Sequence, residues 1–310
     1  MKTKLWLALL ALYIVWGSTY LAIRFTVETI PPFLSASLRF LVSGAILYAW
    51  RRAAGDAVPT QGNWKATAIV GTFLLLGGNG LVSLAEKTVP SGIAALIIAT
   101  VPFWLVLFEA FRSGGVKPTF RSILGLVIGF SGVFLLIGPA EFTGAEHKFD
   151  TFGVIVLLIA PVLWSLGSIY AKGADMPRST LMSTGMQMLA GAVSLFVVSM
   201  LTGELSGFSF GEISVRSWWG LIYLITFGSL IGFVSYGWLL QNAPISLVST
   251  YAYVNPIVAV LLGWLLAGEV LNGRIAVASA IIIGSVILIN WTRQVKVKTE
   301  PLQAVPDGDD

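Results

Sequence analysis

The sequence predicts an all-α integral membrane protein with ten transmembrane helices, arranged as two inverted five-helix repeats with both termini in the cytoplasm. Three observations support this prediction. The 310 residues are 56% hydrophobic and 11% charged, with a mean hydropathy of +0.86, whereas about 25% of the residues in an ordinary soluble domain are charged. Apolar runs long enough to cross a bilayer recur along the chain. A pattern of prolines and small residues occurs twice.

The apolar runs are about 20 residues long, which is the length that crosses ~30 Å of hydrocarbon as a helix. Charged residues, glycine or proline bound each run. Lys2 and Lys4 precede the first run, but no small-residue cleavage site follows it, which favours a retained helix over a signal peptide. The ten predicted spans are residues 5–25, 33–50, 65–86, 90–111, 120–138, 152–172, 180–202, 217–240, 245–267 and 273–292.

Lysine and arginine indicate the orientation. With the amino terminus inside, the predicted cytoplasmic segments carry thirteen of these residues and the opposite side carries five, with Arg39 inside the second span. This bias places both termini in the cytoplasm. We expect the repeats at 1–138 and 151–292, an extracytoplasmic linker at 139–150 and a polar, disordered cytoplasmic tail at 293–310.

The two halves of the sequence share a pattern of prolines and short motifs. Pro90 and Pro102 recur at Pro244 and Pro256 with one constant offset, and a GSTY motif near residue 17 is echoed by GSIY near residue 167. An odd number of helices inverts the second copy in the membrane. Inverted repeats are typical of transporters, whose substrate site lies near the midplane where the repeats meet.

Bulky amphipathic side chains near the predicted midplane indicate a cavity wall. They are far from either interface, and polar groups at that depth are costly unless they are used. Small residues on a helix stripe are more often packing contacts, and Gly125, Gly129, Gly132, Ala280 and Gly284 are interpreted in that way. The predicted substrate-binding residues are Trp16, Tyr20, Asn79, Trp104, Trp164, Ser168, Tyr236, Tyr251, Tyr253 and Asn255.

Two mid-helix prolines are predicted to bend or gate the structure. Pro102 and Pro256 each remove a backbone donor and free the carbonyl four residues earlier, Ile98 and Ala252 respectively. A kink that only serves packing is equally compatible with this pattern. The fourth predicted span has the apolar residues 97–99 (Ile, Ile, Ala) where the ninth has residues 251–253 (Tyr, Ala, Tyr). We therefore expect polar groups that recognise the substrate to come mainly from the second half.

Charges inside the spans are few. Arg39 is the one charge well inside a predicted helix, and it either has a function in the cavity or ties its helix to carbonyls of a neighbour. Arg24 and Glu86 near the outer ends either form a gate or extend their charged groups to water, whereas Glu109 and Glu269 are expected to be interfacial. Because no acidic residue lies at mid-helix, we expect facilitated diffusion or exchange rather than proton antiport.

Other classes of protein fit poorly. The one histidine, His147, lies in the polar 139–150 segment, and the motifs of hydrolases, metalloproteases and phosphate loops are absent, so an enzyme is not expected. The chain has no cysteine, and we expect no metal, no cofactor and no nucleic-acid partner. Bulky aromatics at the centre disfavour the continuous pore of a channel.

Several of these stretches resemble the EamA-type members of the drug/metabolite transporter superfamily: LYIVWGSTY at 12–20, Arg39-Phe40, VPSG at 89–92, and YVNP at 253–256 followed by Gly268-Glu269. The resemblance covers about residues 5–292. It implies a ten-helix carrier of the bacterial inner membrane, in a family whose members often export amino acids or related metabolites and sometimes toxic compounds.

The resemblance therefore implies export of amino acids or similar small amphipathic metabolites by alternating access. The alternative is a proton-coupled carrier for drugs or toxic compounds. The expected partners are a small-molecule substrate and the lipid bilayer. A monomer is expected to suffice, and a dimer is compatible with the sequence.

Overall fold

The computed structural model describes residues 2–112, 117–137, 150–243, 245–248 and 250–299, which are almost entirely helical and include no strand. The first half contains α1 (Lys2–Thr26), α2 (Pro32–Ala53), α3 (Gln61–Ala85), α4 (Ser91–Ile98), α5 (Val101–Phe111) and α6 (Phe120–Ile137). The second half contains α7 (Thr151–Ala171), α8 (Thr180–Leu201), α9 (the continuous stretches Val215–Tyr223, Leu224–Ile231 and Gly232–Asn242), α10 (Ile245–Val248), α11 (Tyr251–Ala267) and α12 (Gly273–Thr299).

Within these ranges, eight helices are long and apolar enough to cross a membrane, counting α4 and α5 together as Ser91–Phe111. Two shorter apolar helices, Tyr251–Ala267 and Gly273–Ile289, follow them. Large apolar side chains stand on the outside of the bundle, among them Leu201 (81% exposed) and Trp219 (67%), as expected when hydrocarbon is the solvent. The all-helical, multi-pass membrane architecture is confirmed, whereas ten spans and cytoplasmic termini stay predictions.

The fourth predicted span is broken next to Pro102. α4 ends at Ile98, and α5 begins at Val101 with Pro102 in its first turn, where a missing N–H leaves no helix hydrogen bond unmade. The Thr100 hydroxyl donates to the Ile97 carbonyl at 2.6 Å and closes the end of α4.

The ninth predicted span is broken before its proline. α10 ends at Val248 and α11 begins at Tyr251, so Pro256 lies inside a continuous helix, in its second turn. The amides of Tyr253 and Val254 both turn back to the Thr250 carbonyl, at 3.2 and 3.3 Å. The two prolines therefore occupy different positions relative to the breaks, although the sequence repeats their spacing.

Two π-helical stretches, which the sequence analysis missed, lie at equivalent places in the two halves. They are Thr72–Gly80 within α3 and Leu224–Ile231 within α9. A π-helix widens the turn and alters the pairing of backbone carbonyls, and such stretches occur often at functional sites. Both end beside the central cavity described below.

The halves are interleaved. α2 packs along α8, α6 along α12, α1 against α9 and α11, and α7 against α3 and α5. The predicted packing role of Gly125, Gly129 and Gly132 on α6 is confirmed by close approach of α12 and α5. The same prediction for Ala280 and Gly284 is wrong: Ala280 is exposed, and no neighbouring atom lies within 4 Å of a Cβ built at Gly284. α12 instead turns its Ile282 and Ser285 side toward the core.

The last helix also differs from its predicted bounds. α12 continues past residue 292 to Thr299, because residues 293–299 contain good helix formers and the next proline is Pro301. The predicted disordered tail is thus helical as far as Thr299. Residues 300–310 of that tail and 139–149 of the predicted linker lie outside the described residues.

Candidate substrate-binding cavity

A cavity of about 280 Å³ lies in the middle of the bundle, with walls from both halves. α1, α2, α3, α4 and α5 contribute from the first half, and α7, α9 and α11 from the second. The predicted site residues that line it are Trp16, Tyr20, Arg39, Asn79, Pro102, Trp164, Tyr251, Asn255 and Pro256. Much of the wall therefore consists of residues predicted from the sequence, although substrate contact by these residues stays a prediction.

Two tryptophans from different halves of the chain line the cavity, each against a glycine in or next to a π-helical stretch. A Cβ built at Gly78 would lie 2.5 Å from Cε3 of Trp164, and one built at Gly232 would lie 2.8 Å from Cδ1 of Trp16 and closer still to its Nε1. No larger residue leaves room for either ring. The Trp16 Nε1–H also donates to the Gly228 carbonyl in the π-helix of α9, at 3.1 Å.

These contacts correct the register of the repeat. Trp16 corresponds to Trp164, an offset of 148 positions, whereas the GSTY and GSIY motifs match at an offset of 150. The hydroxyl of Ser165 donates to the Val101 carbonyl, and its equivalent Gly17 lies closely against the Asn255 carbonyl. Residues that make equivalent helix contacts in the two halves are thus 148 positions apart in this helix. The GSTY and GSIY motifs, which are 150 positions apart, do not occupy equivalent places.

An aromatic cluster supports the Trp16 side of the cavity. The Trp16 ring lies 5.2 Å from Phe233, 5.3 Å from Tyr236 and 5.2 Å from Tyr251, between ring centroids. Tyr236 does not line the cavity, so it positions the Trp16 and Tyr251 rings from behind. Edge-to-face contacts of this kind stabilise a ring by about 0.5–1.5 kcal/mol beyond its area burial.

The two predicted amides have different environments. With its amide nitrogen directed at α1, Asn255 donates to the carbonyls of Tyr13 and Tyr251, at 3.2 and 3.3 Å, so part of it ties α11 to α1. The amide of Asn79 faces the cavity without a hydrogen-bond partner among the described residues. Asn79 is therefore the freer of the two for a ligand.

Arg39 reaches the cavity from α2 and is only 5% exposed. Its Nε–H donates to the hydroxyl of Ser229 at 2.9 Å. From the sequence, Arg39 either faces the cavity or ties helices together through carbonyls. The structure places it on the cavity wall, and its tie to α9 is a hydroxyl.

The remaining predicted site residues lie outside the cavity lining. Trp104 packs against Phe130, at 5.6 Å between centroids, and Tyr253 packs with the cluster around Phe103. The Ser168 hydroxyl is used within α7, where it donates to the Trp164 carbonyl at 2.8 Å. Each residue advances about 100° around a helix, so Trp104 and Tyr253, two positions beyond Pro102 and Tyr251, face away from the cavity.

One end of the bundle is closed by a carboxylate that the sequence analysis expected at the interface. Gly268 takes a left-handed conformation (φ 65°), and Glu269 turns back into the protein. Its carboxylate accepts hydrogen bonds from the Ser91 amide (2.7 Å), the Ser91 hydroxyl (2.8 Å) and the Gly92 amide (3.0 Å), at the start of α4. Arg24 lies 3.6 Å away. We call this group the Glu269 clasp.

Glu86 lies beside the Glu269 clasp and is 1% exposed. Among the described residues, neither of its carboxyl oxygens has a hydrogen-bond partner, and its electrostatic neighbours are Glu269, which repels it, and Arg24, which attracts it. Arg24, the other candidate for a gate, forms its ion pair with Glu269 rather than with Glu86, and the gate itself stays a prediction. At the opposite end, Lys172 pairs with Glu109 and joins α7 to α5.

Comparison with known proteins identifies the family. The EamA-like transporter family model matches residues 3–138 and 151–291. The chain is 38% identical over 290 residues to the inner membrane transporter YedA of Escherichia coli (strain K12), covering 91% of this chain and 89% of that protein. It is 22% identical over 290 residues to the transporter YoaV of Bacillus subtilis (strain 168), covering 93% and 97%.

A solved crystal structure has the same fold, with a TM-score of 0.62 over 96% of this chain and 99% of that chain at 22% identity. The family match covers both halves of the chain, and the apolar helices and the central cavity are consistent with a membrane transporter. The chain therefore belongs to the EamA-like transporter family and is a multi-pass transporter of the bacterial inner membrane.

Proposed function

We propose that the protein exports amino acids or similarly sized amphipathic metabolites by alternating access to the central cavity. The observation that supports this most is the composition of its wall. The rings of Trp16 and Trp164 line the cavity together with the amide of Asn79 and the guanidinium of Arg39. Such walls suit a molecule with one apolar part and a few polar groups, because the rings bury the first and fixed donors and acceptors orient the second.

The size of the cavity favours small metabolites over the alternative, bulky drugs. Pockets that hold drug-sized ligands have volumes of about 300–1,000 Å³. At about 280 Å³, this cavity lies just below that range. A single amino acid is therefore a better match than a multi-ring cation.

Alternating access requires closures at both ends that open in turn. The Glu269 clasp joins the end of α11 to the start of α4, and the pair of Lys172 with Glu109 joins α7 to α5 at the other end. The Glu269 carboxyl group is 8% exposed and the Lys172 side chain is 50% exposed. Since exposed ion pairs contribute only about 0–1 kcal/mol, the Lys172 end is expected to open more easily.

The lining contains no carboxylate in the described chain, which supports facilitated diffusion or exchange. Proton coupling is a second candidate because of Glu86. A buried carboxylate without a hydrogen-bond partner is costly when charged, so Glu86 is suited to carry a proton. If an imposed pH gradient drives uphill transport in the wild type but not in Glu86→Gln, the second candidate is correct.

Counterflow tests the main proposal. The full-length protein is reconstituted in vesicles and assayed against amino acids, sugars, nucleosides and cationic drugs. We expect saturable counterflow of amino acids, with a half-saturation concentration raised at least about tenfold by Trp164→Ala, which corresponds to about 1.4 kcal/mol. Trp219→Ala is the matched control, since this ring is 67% exposed on the outer surface.

The outcomes distinguish the proposal that the protein is a carrier from the proposal that the central cavity is its substrate site. If Trp164→Ala and Asn255→Ala leave transport of every accepted substrate unchanged, the cavity is not the site even though the protein is a carrier. Unitary conductance without counterflow would instead indicate a channel.

A further inference from the structure

Arg39 is the one formally charged residue among the described residues that line the cavity. It is the eighth residue of α2, about 10 Å along this span of 22 residues at ~1.5 Å per residue, and is 5% exposed. Charged side chains at such depth are rare and usually contact a ligand, an ion or a second charge. What Arg39 contacts therefore bears on what the cavity holds.

The protein occupies only part of the Arg39 guanidinium. Nε donates to Ser229, and Nη2 lies beside Gly228, where a Cβ would come within 3.2 Å of it. The described chain provides no carboxylate within ion-pair distance and no acceptor for the two terminal nitrogens. The bond to Ser229 and the contact of Cζ with the Phe40 ring, 4.7 Å from the ring centroid, hold the group in place, and Nη1 and Nη2 remain available at the cavity.

Two carboxylates near the start of α4 do not line the cavity. Glu269 is engaged by Ser91, Gly92 and Arg24 in the clasp, and Glu86 lies next to it. A buried cation without an anionic partner is costly. A guanidinium matches a carboxylate better than other groups, since two parallel N–H bonds reach its two oxygens.

We propose that Arg39 binds the carboxylate of the transported molecule, and that the carrier therefore selects small carboxylates over amines or amides with the same side chain. The inference rests on the proposed function, because it names the substrate class of the same cavity. The carboxylate lies at Nη1 and Nη2, and the apolar part of the substrate faces the Trp16 and Trp164 rings. An amine lacking the carboxylate would leave the guanidinium unpaired and add a second positive charge to the cavity.

Matched ligand pairs test the inference without any mutation. The full-length protein in detergent is assayed by thermal stabilisation with leucine against leucinamide and with phenylalanine against 2-phenylethylamine, and the same pairs compete in vesicle counterflow. We expect the acid of each pair to act at a concentration at least about tenfold lower than its partner, since a hydrogen-bonded charge pair is lost.

Substitutions then assign the preference to one residue. Arg39→Gln is expected to lower the acid-to-amine ratio at least about tenfold. Arg39→Lys, which keeps the charge without the two-pronged geometry, is expected to retain part of the ratio. Arg216→Gln is the matched control, because it removes one positive charge from an exposed ion pair with Glu28 and should leave the ratio unchanged.

The outcomes distinguish the inference from the proposed function. Equal action of acids and amines on the wild type, or an unchanged ratio in Arg39→Gln, overturns the inference while saturable counterflow keeps the carrier function. Acid-selective stabilisation that depends on Arg39, without counterflow of any acid, supports the inference and overturns the proposed export. Silence of every compound in both assays overturns both.

Discussion

Replacing Gly232, the residue that follows the π-helical stretch of α9, with alanine tests whether a glycine is required there to make room for the Trp16 ring. The new methyl group would lie 2.8 Å from Cδ1 of Trp16 and closer still to Nε1. Carbon atoms do not approach so closely, so the ring must tilt away. The tilt breaks the hydrogen bond from Nε1 to the Gly228 carbonyl and moves the ring toward the cavity.

Three contributions set the size of the effect. Overpacking costs about 1–3 kcal/mol. Losing the hydrogen bond costs about 0.5–1.5 kcal/mol. Alanine in place of glycine within a helix returns about 0.5–1 kcal/mol. The net expectation is a destabilisation of about 2 kcal/mol, given these ranges.

Gly284→Ala is the matched control. It makes the same chemical change inside α12, where no neighbouring atom lies within 4 Å of the added methyl group. Thermal unfolding in detergent should show a lower midpoint for Gly232→Ala and an unchanged or higher one for Gly284→Ala. Substrate half-saturation should rise for Gly232→Ala only. If both variants unfold at the same temperature or above the wild type, a glycine is not required beside Trp16 and the argument from close contact is refuted.

Two further predictions concern the ends of the bundle. Glu269→Gln should destabilise the protein by about 1–3 kcal/mol, since a carboxylate that accepts three hydrogen bonds at the start of α4 is replaced. Glu28→Gln, which breaks the exposed pair with Arg216, should change the unfolding midpoint little, and equal losses for the two would contradict the clasp. In the loop after α2, the hydrogen bond from Arg51, together with one from Ser179, lowers the pKa of the Asp56 carboxyl to about 2. Because this pKa is depressed, the stabilisation is present above the ordinary value of 3.8 and is lost as the pH falls through about 2. An NMR titration of the Asp56 carboxyl carbon checks this, and a midpoint near 3.8 would show that the contact is absent in solution.

The sequence was sufficient for the membrane architecture because hydrophobic length is a local property. A span needs about 20 apolar residues whatever its neighbours are. The repeated spacing of the prolines is likewise visible in the sequence without knowledge of the packing. Much of the cavity wall was also predictable, since Trp16, Asn79, Trp164, Tyr251 and Asn255 are costly at mid-membrane depth unless they face an interior.

Whether an individual side chain points toward the cavity was less predictable. Trp104 and Tyr253 have the same chemistry as the lining residues, and only the packing shows that the cavity lies on the side of Pro102 and Tyr251, about 200° away on the same helices. The π-helical stretches shift the register. A helical wheel drawn on an unbroken helix has no information about either feature.

The sequence by itself determined that this chain is a duplicated bundle of membrane helices with polar groups in its interior, because burial cost and helix length act residue by residue. Only the tertiary structure decided which partners those groups have. Glu269 is a cap for α4 rather than an interfacial charge, and Arg39 donates to a hydroxyl of α9 rather than to a set of helix carbonyls. Both outcomes depend on residues from the other half of the chain, brought within hydrogen-bonding distance by packing between the repeats.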